Sequence, residues 1–208
     1  MSITKTSAKV TELPLMETFY SIQGEGYHQG KAAYFIRLAG CDVGCTWCDV
    51  KESWTTDPYP KIKSNELAEK ADRYGSGMAI VTGGEPLMYD LNDLTFYLAE
   101  RGVSSHLETS GTYPLTGNWN WICFSPKKFK APLPEFFNMA DELKIIIVNN
   151  SDFEWAQAFA DKVRPNCKKY VQPEWSRSSK VLPKIVDFVK QNPEWEVSLQ
   201  IHKYLNVP

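Results

Sequence analysis

Seven short apolar runs, separated by stretches of helical periodicity, limit most tightly how this chain can fold. The runs lie at 34–39, 78–82, 103–108, 119–124, 143–148, 169–172 and 197–201. They are rich in β-branched or aromatic residues and bounded by Gly, Pro or Asn, as strands are. Between them, Ser64 can cap a helix that uses Leu67, Ala71 and Tyr74 and stops at Gly75. Asp90 can cap a second, with Leu91, Leu94 and Leu98 on one face and Gly102 beyond its end. Ser151 and Glu154 have the spacing of a capping box ahead of Trp155, Phe159 and Val163. A fourth apolar face combines Leu182, Ile185, Val186 and Val189, with Pro183 expected in the first turn. Strands of continuous apolar character alternating with helices predict an α/β fold with a mostly parallel sheet covered by helices. An open, partial βα barrel fits, and its chemistry should gather where the strands end in loops.

The 208 residues suit one domain, expected over 13–208 behind a loose, polar segment at 1–12. Lys and Arg total 23 against 25 Asp and Glu, which argues against a general nucleic-acid binder. No apolar run reaches the roughly 18 residues of a membrane span, and the first residues lack the apolar stretch of a signal peptide. A cytoplasmic protein is therefore expected. In that setting five cysteines, three of them crowded together, suggest metal or redox chemistry before disulfides.

The crowded set is Cys41-Asp-Val-Gly-Cys45-Thr-Trp-Cys48, directly after the 34–39 strand. Three thiolates on one loop can hold three irons of a 4Fe–4S cluster and leave the fourth open to an exogenous chelator. They can equally hold zinc with His28 or another residue as fourth ligand. Cys123 and Cys167 lack metal-ligand spacing and read as structural thiols, and His106 and His202 read as sheet positions. After the 78–82 strand comes Gly83-Gly84-Glu85-Pro86, whose glycines leave backbone open to a polar ligand or simply make a turn.

Together, the cysteine spacing, Trp47 before the last cysteine and Gly-Gly-Glu-Pro one strand later resemble the radical S-adenosylmethionine (SAM) superfamily. The resemblance implies that SAM chelates the open iron, that Gly-Gly-Glu-Pro contacts its amino group, and that one electron cleaves it to methionine and a 5′-deoxyadenosyl radical. Narrower landmarks are Phe19-Tyr-Ser-Ile-Gln-Gly-Glu-Gly-Tyr27, Arg37, Glu108-Thr-Ser-Gly111, Ser125-Pro-Lys127, Gln172-Pro173 and His202-Lys-Tyr-Leu-Asn-Val-Pro208. Over nearly the whole chain these resemble the 7-carboxy-7-deazaguanine synthase family. That resemblance implies a radical ring contraction of 6-carboxy-5,6,7,8-tetrahydropterin to 7-carboxy-7-deazaguanine and ammonia, on the route to queuosine and related deazapurines.

Residue roles follow. Arg37 offers a planar fork for a carboxylate, or a salt bridge at a strand end. Gln23 and Glu25, in a Gly-bracketed loop, can read the donors and acceptors of a pterin edge. The resemblance adds substrate contacts at Ile22, Gln23, Gly24 and Thr82 and at the terminal carboxylate of Pro208, so that the C-terminal tail closes the site. For SAM it implies Trp47, Cys48, Asp49, Gly84, Ser125, Pro126 and Lys127, then Gln172, Pro173, Glu174 and Trp175. Several family members place Thr directly after the Cys-Asp pair as a Mg²⁺ ligand. Val50 stands there in this chain and supplies no oxygen, which implies weakened or lost Mg²⁺ dependence. The family also implies a homodimer and a reductant such as flavodoxin or ferredoxin. Two other readings stay open: a glycyl-radical-enzyme activase, and a non-catalytic iron–sulfur or zinc protein.

Overall fold

The parallel strands turn one face to the helices and the other, which carries most of the polar residues, to a cavity, and that division decides where the site lies. The computed structural model describes residues 10–57 and 59–208. Its strands are β1 (Glu12–Ile22), β2 (Ala32–Leu38), β3 (Lys61–Lys63), β4 (Met78–Gly83), β5 (Ser104–Thr109), β6 (Trp121–Phe124), β7 (Glu142–Ile147), β8 (Lys168–Pro173) and β9 (Trp195–Val197). They form one sheet in the order β3-β1-β2-β4-β5-β6-β7-β8-β9. From β2 to β9 every pairing is parallel, while β1 pairs antiparallel with both β2 and β3. The two end strands do not pair, so this mostly parallel sheet is an open, partial barrel.

Helices α1 (Ser64–Arg73), α2 (Asn92–Glu100), α3 (Phe136–Met139), α4 (Ser151–Ala160) and α5 (Ser178–Gln191) connect the strands, and α6 (Ile201–Leu205) follows β9. Against them pack Ile36 and Leu38 of β2, Ala79 and Val81 of β4, Leu107 of β5, and Leu143, Ile145 and Ile147 of β7. Because strand side chains alternate, the intervening residues face the other way. Those residues include Arg37, Thr82, Glu108, Lys144 and Gln172, and all five line one cavity. The expected continuous apolar character holds in much of β2 and β4, where Ala33, Phe35, Met78 and Ile80 form a second small core with Phe19, and gives way to polar residues at the cavity.

Several expectations need correction. Strands β1 and β3 and helices α3 and α6 were not anticipated. The run at 197–201 is no single strand: β9 stops at Val197, and Ile201 opens α6, which carries His202. Ser64 is the first helical residue and donates its hydroxyl to Thr11 O at 3.0 Å; the N-cap of α2 is Leu91, and Asp90, one residue further out, accepts from Asn92 N at 2.9 Å. The loose N-terminal segment ends earlier than residue 12, because Thr11 N donates to Asp93 Oδ2 at 2.8 Å and Glu12 begins β1. The rest of that segment, residues 1–9, lies outside the described residues. Helix α5 starts at Ser178, so Pro183 falls in its second turn; Val181 is buried there while Val186 is exposed.

The capping box at Ser151 and Glu154 does not form. Ser151 instead bonds Asn149 Oδ1 through its amide and hydroxyl. Buried Asp152 takes the load: its Oδ2 accepts from Val148 N at 2.7 Å and Asn149 N at 2.8 Å, and its Oδ1 pairs with Lys128 at 2.5 Å. Asp152→Ala strands two amides and a lysine and is expected to cost about 2–4 kcal/mol. Ser151→Ala should stay within about 0.5 kcal/mol. Urea midpoints of the two variants check this ranking, and equal midpoints would refute it.

Candidate active site

Two adjacent strand exits build the cysteine loop. Beyond β2 the chain turns at Gly40, whose φ of 99° and contact with Tyr89 leave no room for a side chain. Beyond β4, Gly84 N donates to Leu38 O and Glu85 N to Gly40 O, each at 2.9 Å. A Cβ on Gly83 would fall 2.1 Å from Leu38 O, and one on Gly84 2.1 Å from Gly40 O and 3.0 Å from Cys41 Cβ. These two glycines thus let two backbones touch beside the first cysteine. Glu85 is buried and saturated, accepting from Thr109 Oγ1 at 2.6 Å, Ser110 Oγ at 2.5 Å and Ser110 N at 2.8 Å. It locks the β4 exit to the β5 exit.

Cys41, Cys45 and Cys48 line a cavity of about 290 Å³ at the C-terminal ends of the strands. Burial raises the Cys41 thiol and pushes Cys45 up to about 11. Thiols held protonated in this way need a bound cation to become thiolates, as metal ligands must. Among the described residues no three Cys, His, Asp or Glu side chains converge as ligands of a single ion would. His28 does not line this cavity; it packs at a tilt against His106, ring centres 4.5 Å apart, which removes it as a fourth zinc ligand. The donor set fits a cluster that spaces its irons. Cys123 and Cys167 are buried elsewhere, as expected of structural thiols.

Every expected site residue lines the same cavity except Pro126. Arg37 donates Nε to Glu17 Oε1 at 2.7 Å, so the salt-bridge reading holds. One nitrogen makes the salt bridge, and the two terminal ones have no protein partner among the described residues. Lys127 is bonded through Nζ to Ser125 O and, at 2.6 Å, to Ser125 Oγ, and burial lowers its pKa. Gln172 accepts from Ser198 Oγ at 2.7 Å. Glu174 caps its own turn through Ser176 N and Arg177 N. Trp175 is exposed, edge-on to Tyr204 at 5.4 Å.

The Gly-bracketed loop at 22–26 differs from expectation. Gln23 Nε2 donates to Glu108 Oε1 at 2.9 Å, and Thr82 Oγ1 to Glu108 Oε2 at 3.4 Å. Glu25 is consumed, with Oε2 on Lys144 Nζ at 2.6 Å and Oε1 on Gln200 Nε2 at 2.8 Å. Burial opposes its ionisation, but the Lys144 ammonium outweighs burial and holds Glu25 at about 2. Lys144 is itself desolvated, yet the surrounding acidic groups hold it well above its ordinary value. The pair is therefore ionised, and Glu25 anchors the loop while still lining the cavity. The loop glycines have steric reasons: a Cβ on Gly24 would lie 2.0 Å from His202 Nδ1, and one on Gly26 2.0 Å from Glu142 Oε1.

Lys144, Gln200, Glu108 and His202 are site residues that the sequence reading missed or placed elsewhere. A lysine inside the apolar run Leu143-Lys-Ile-Ile-Ile147 was a usable signal, because such a position is buried and lysine needs a partner there. Gln200 gave none, and His202, though part of the C-terminal landmark, was read as a sheet position because α6 is too short to show periodicity.

A family model described as the Radical SAM superfamily matches residues 35–122. A 7-carboxy-7-deazaguanine synthase of Flavobacterium psychrophilum is 54% identical over 94% of this chain and 93% of its own length. One from Synechocystis is 46% identical, covering 93% of both chains. The crystal structure of QueE from Escherichia coli superposes with a TM-score of 0.82 at 29% identity, over 91% of this chain and 94% of that one. With sequence and backbone agreeing over nearly the full length of every protein compared, the chain belongs to the 7-carboxy-7-deazaguanine synthase family of radical SAM enzymes.

Proposed function

We propose that this chain converts 6-carboxy-5,6,7,8-tetrahydropterin to 7-carboxy-7-deazaguanine and ammonia, feeding queuosine and deazapurine synthesis. One observation carries the reading: the three cysteines, Gly84, Arg37, Gln23 and Pro208 share a single cavity. A glycyl-radical-enzyme activase needs no small-molecule pocket of this kind beside its cluster, and a passive iron–sulfur or zinc protein needs no pocket at all.

Radical SAM family membership brings a 4Fe–4S cluster and SAM. Cys41, Cys45 and Cys48 would hold the cluster, which supplies reductive cleavage of SAM and so the initiating radical. Trp47, Asp49, Gly84, Ser125, Lys127 and the 172–175 segment line the part of the cavity proposed for SAM. Pro126 serves only as the backbone link between Ser125 and Lys127.

Arg37 is proposed to grip the substrate carboxylate. Its Nε bond to Glu17 orients the guanidinium and leaves a bidentate pair of N–H groups for the ligand. Gln23, Glu108 and Thr82, already bonded to one another, present donors and acceptors together to the pterin edge. Ile22 and Gly24 add contacts from the loop, and the Pro208 carboxylate accepts from ring and amino nitrogens. Residues 13–208 then act as one catalytic domain whose tail closes the site. The enzyme is proposed to be a cytoplasmic homodimer reduced by flavodoxin or ferredoxin. Among the described residues no helix is long and apolar enough to cross a membrane.

Anaerobic reconstitution, then addition of SAM, reductant and the carboxylated tetrahydropterin, tests the whole reading. 5′-Deoxyadenosine together with 7-carboxy-7-deazaguanine is the expected outcome; 5′-deoxyadenosine without that product would refute the substrate assignment. Cys41→Ala, Cys45→Ala and Cys48→Ala should each lose bound iron and SAM cleavage, while Cys123→Ala and Cys167→Ala keep both. Iron and sulfide analysis decides it. Arg37→Lys should weaken binding of the 6-carboxy substrate by about 1.5–3 kcal/mol and spare a decarboxylated analogue. Equal losses for both compounds would make Arg37 purely structural. Val50 lines the cavity without an oxygen ligand, so Mg²⁺ should stimulate this enzyme less than its Val50→Thr variant, as a metal titration of turnover would show.

A further inference from the structure

The last residues reach the cavity by a path with few free torsions. Asn206, the one non-glycine residue at positive φ (55°) among the described residues, ends α6 in the left-handed conformation. Val207 N then donates to His202 O at 3.1 Å. The ring of Pro208 restricts its own φ. What remains free is rotation of the terminal carboxylate, and one contact opposes it: Ser21 Oγ donates to Pro208 O at 2.8 Å. Ser21 lies on β1, 187 positions away in the chain, and the family landmarks assigned it no role. The same carboxylate forms no ion pair among the described residues. An ionised carboxylate has about four acceptor sites, so one hydroxyl leaves most of them for a ligand.

We propose that Ser21 is a positioning residue for substrate binding, its hydroxyl setting the rotation of the Pro208 carboxylate so that the remaining lone pairs meet adjacent N–H donors of the pterin. This rests on the reading that the terminal carboxylate is a substrate ligand. A ligand group already held in its bound orientation loses less entropy on binding. A cation in place of Ser21 would hold the carboxylate more strongly but compete with the ligand for its charge. A neutral hydroxyl orients it without neutralising it.

The test uses the reconstituted holoenzyme with Ser21→Ala, with Ser21→Thr, and with one glycine appended after Pro208. Substrate affinity is measured by anaerobic equilibrium binding and by KM against kcat, and protection of the Val207 amide by hydrogen exchange. The appended glycine should weaken binding more than about tenfold. Ser21→Ala should raise KM about three- to tenfold with kcat and substrate-free SAM cleavage held within roughly twofold, and should lower Val207 protection. Ser21→Thr, which keeps the hydroxyl, should restore affinity, and Ser21→Ala should add nothing once the glycine is present. If Ser21→Ala binds substrate normally while the appended glycine weakens it, the positioning role is wrong and the carboxylate reading survives. If the appended glycine has no effect, the carboxylate reading itself falls and this proposal with it.

Discussion

The arrangement of the site depends on one buried ion pair, Lys144 against Glu25 at 2.6 Å. Lys144 is almost wholly withdrawn from water in the middle of β7, and only the acidic groups around it, Glu108 at 3.8 Å included, make its charge tolerable. Glu25 in turn holds Gln200, whose Nε2 also reaches Asp49 at 3.4 Å, and Lys203 reaches the same Asp49 at 3.1 Å. A single desolvated charge thereby joins a central strand, the 22–26 loop, the C-terminal segment and the cysteine loop. Removing either partner would strand the other, a penalty of about 3–5 kcal/mol. The pair does not bring more stability than an apolar core would. Its effect is to make one placement of the loop far better than any other.

Around that pair the polar face of the sheet is consistently satisfied. Glu108 bonds Gln23 and Thr82, Gln172 bonds Ser198, and Glu85 bonds Thr109 and Ser110. Polar side chains with fixed partners keep their orientation when a ligand arrives, so little reorganisation is left for the binding step. The exceptions are informative. The terminal nitrogens of Arg37 and most of the Pro208 carboxylate lack partners, and these two groups are proposed to touch opposite ends of the substrate.

How much of this the sequence revealed depended on whether a signal was local. The cysteine spacing, the Gly-Gly-Glu-Pro segment and six of the seven parallel strands from β2 onward were legible, because each is written in consecutive residues. Strand β1 was hidden: its Glu12-to-Ile22 run mixes Glu17, Thr18 and Ser21 with aromatics and carries an irregularity between Leu15 and Glu17, which breaks the alternation. Helix α6 is too short for a period, and Ile201 reads equally well as strand. The anchoring role of Glu25 was hidden for a different reason. Its composition suits a ligand contact, and only the fold reveals that Lys144, distant in sequence, has already claimed it.

Several partners of the loop at 22–26 come from the far end of the chain. Gly26 N needs Ser198 Oγ at 3.0 Å, and Gly24 O accepts from Ile201 N at 3.0 Å. Gln200 completes Glu25, and Ser21 waits for the final residue. Contacts of such long sequence separation form late in folding. The sheet and its outer helices carry their own core, so they do not depend on these contacts, whereas the wall of the pocket does. A chain cut before residue 198 would therefore keep all three cysteines yet lose part of the wall that encloses them.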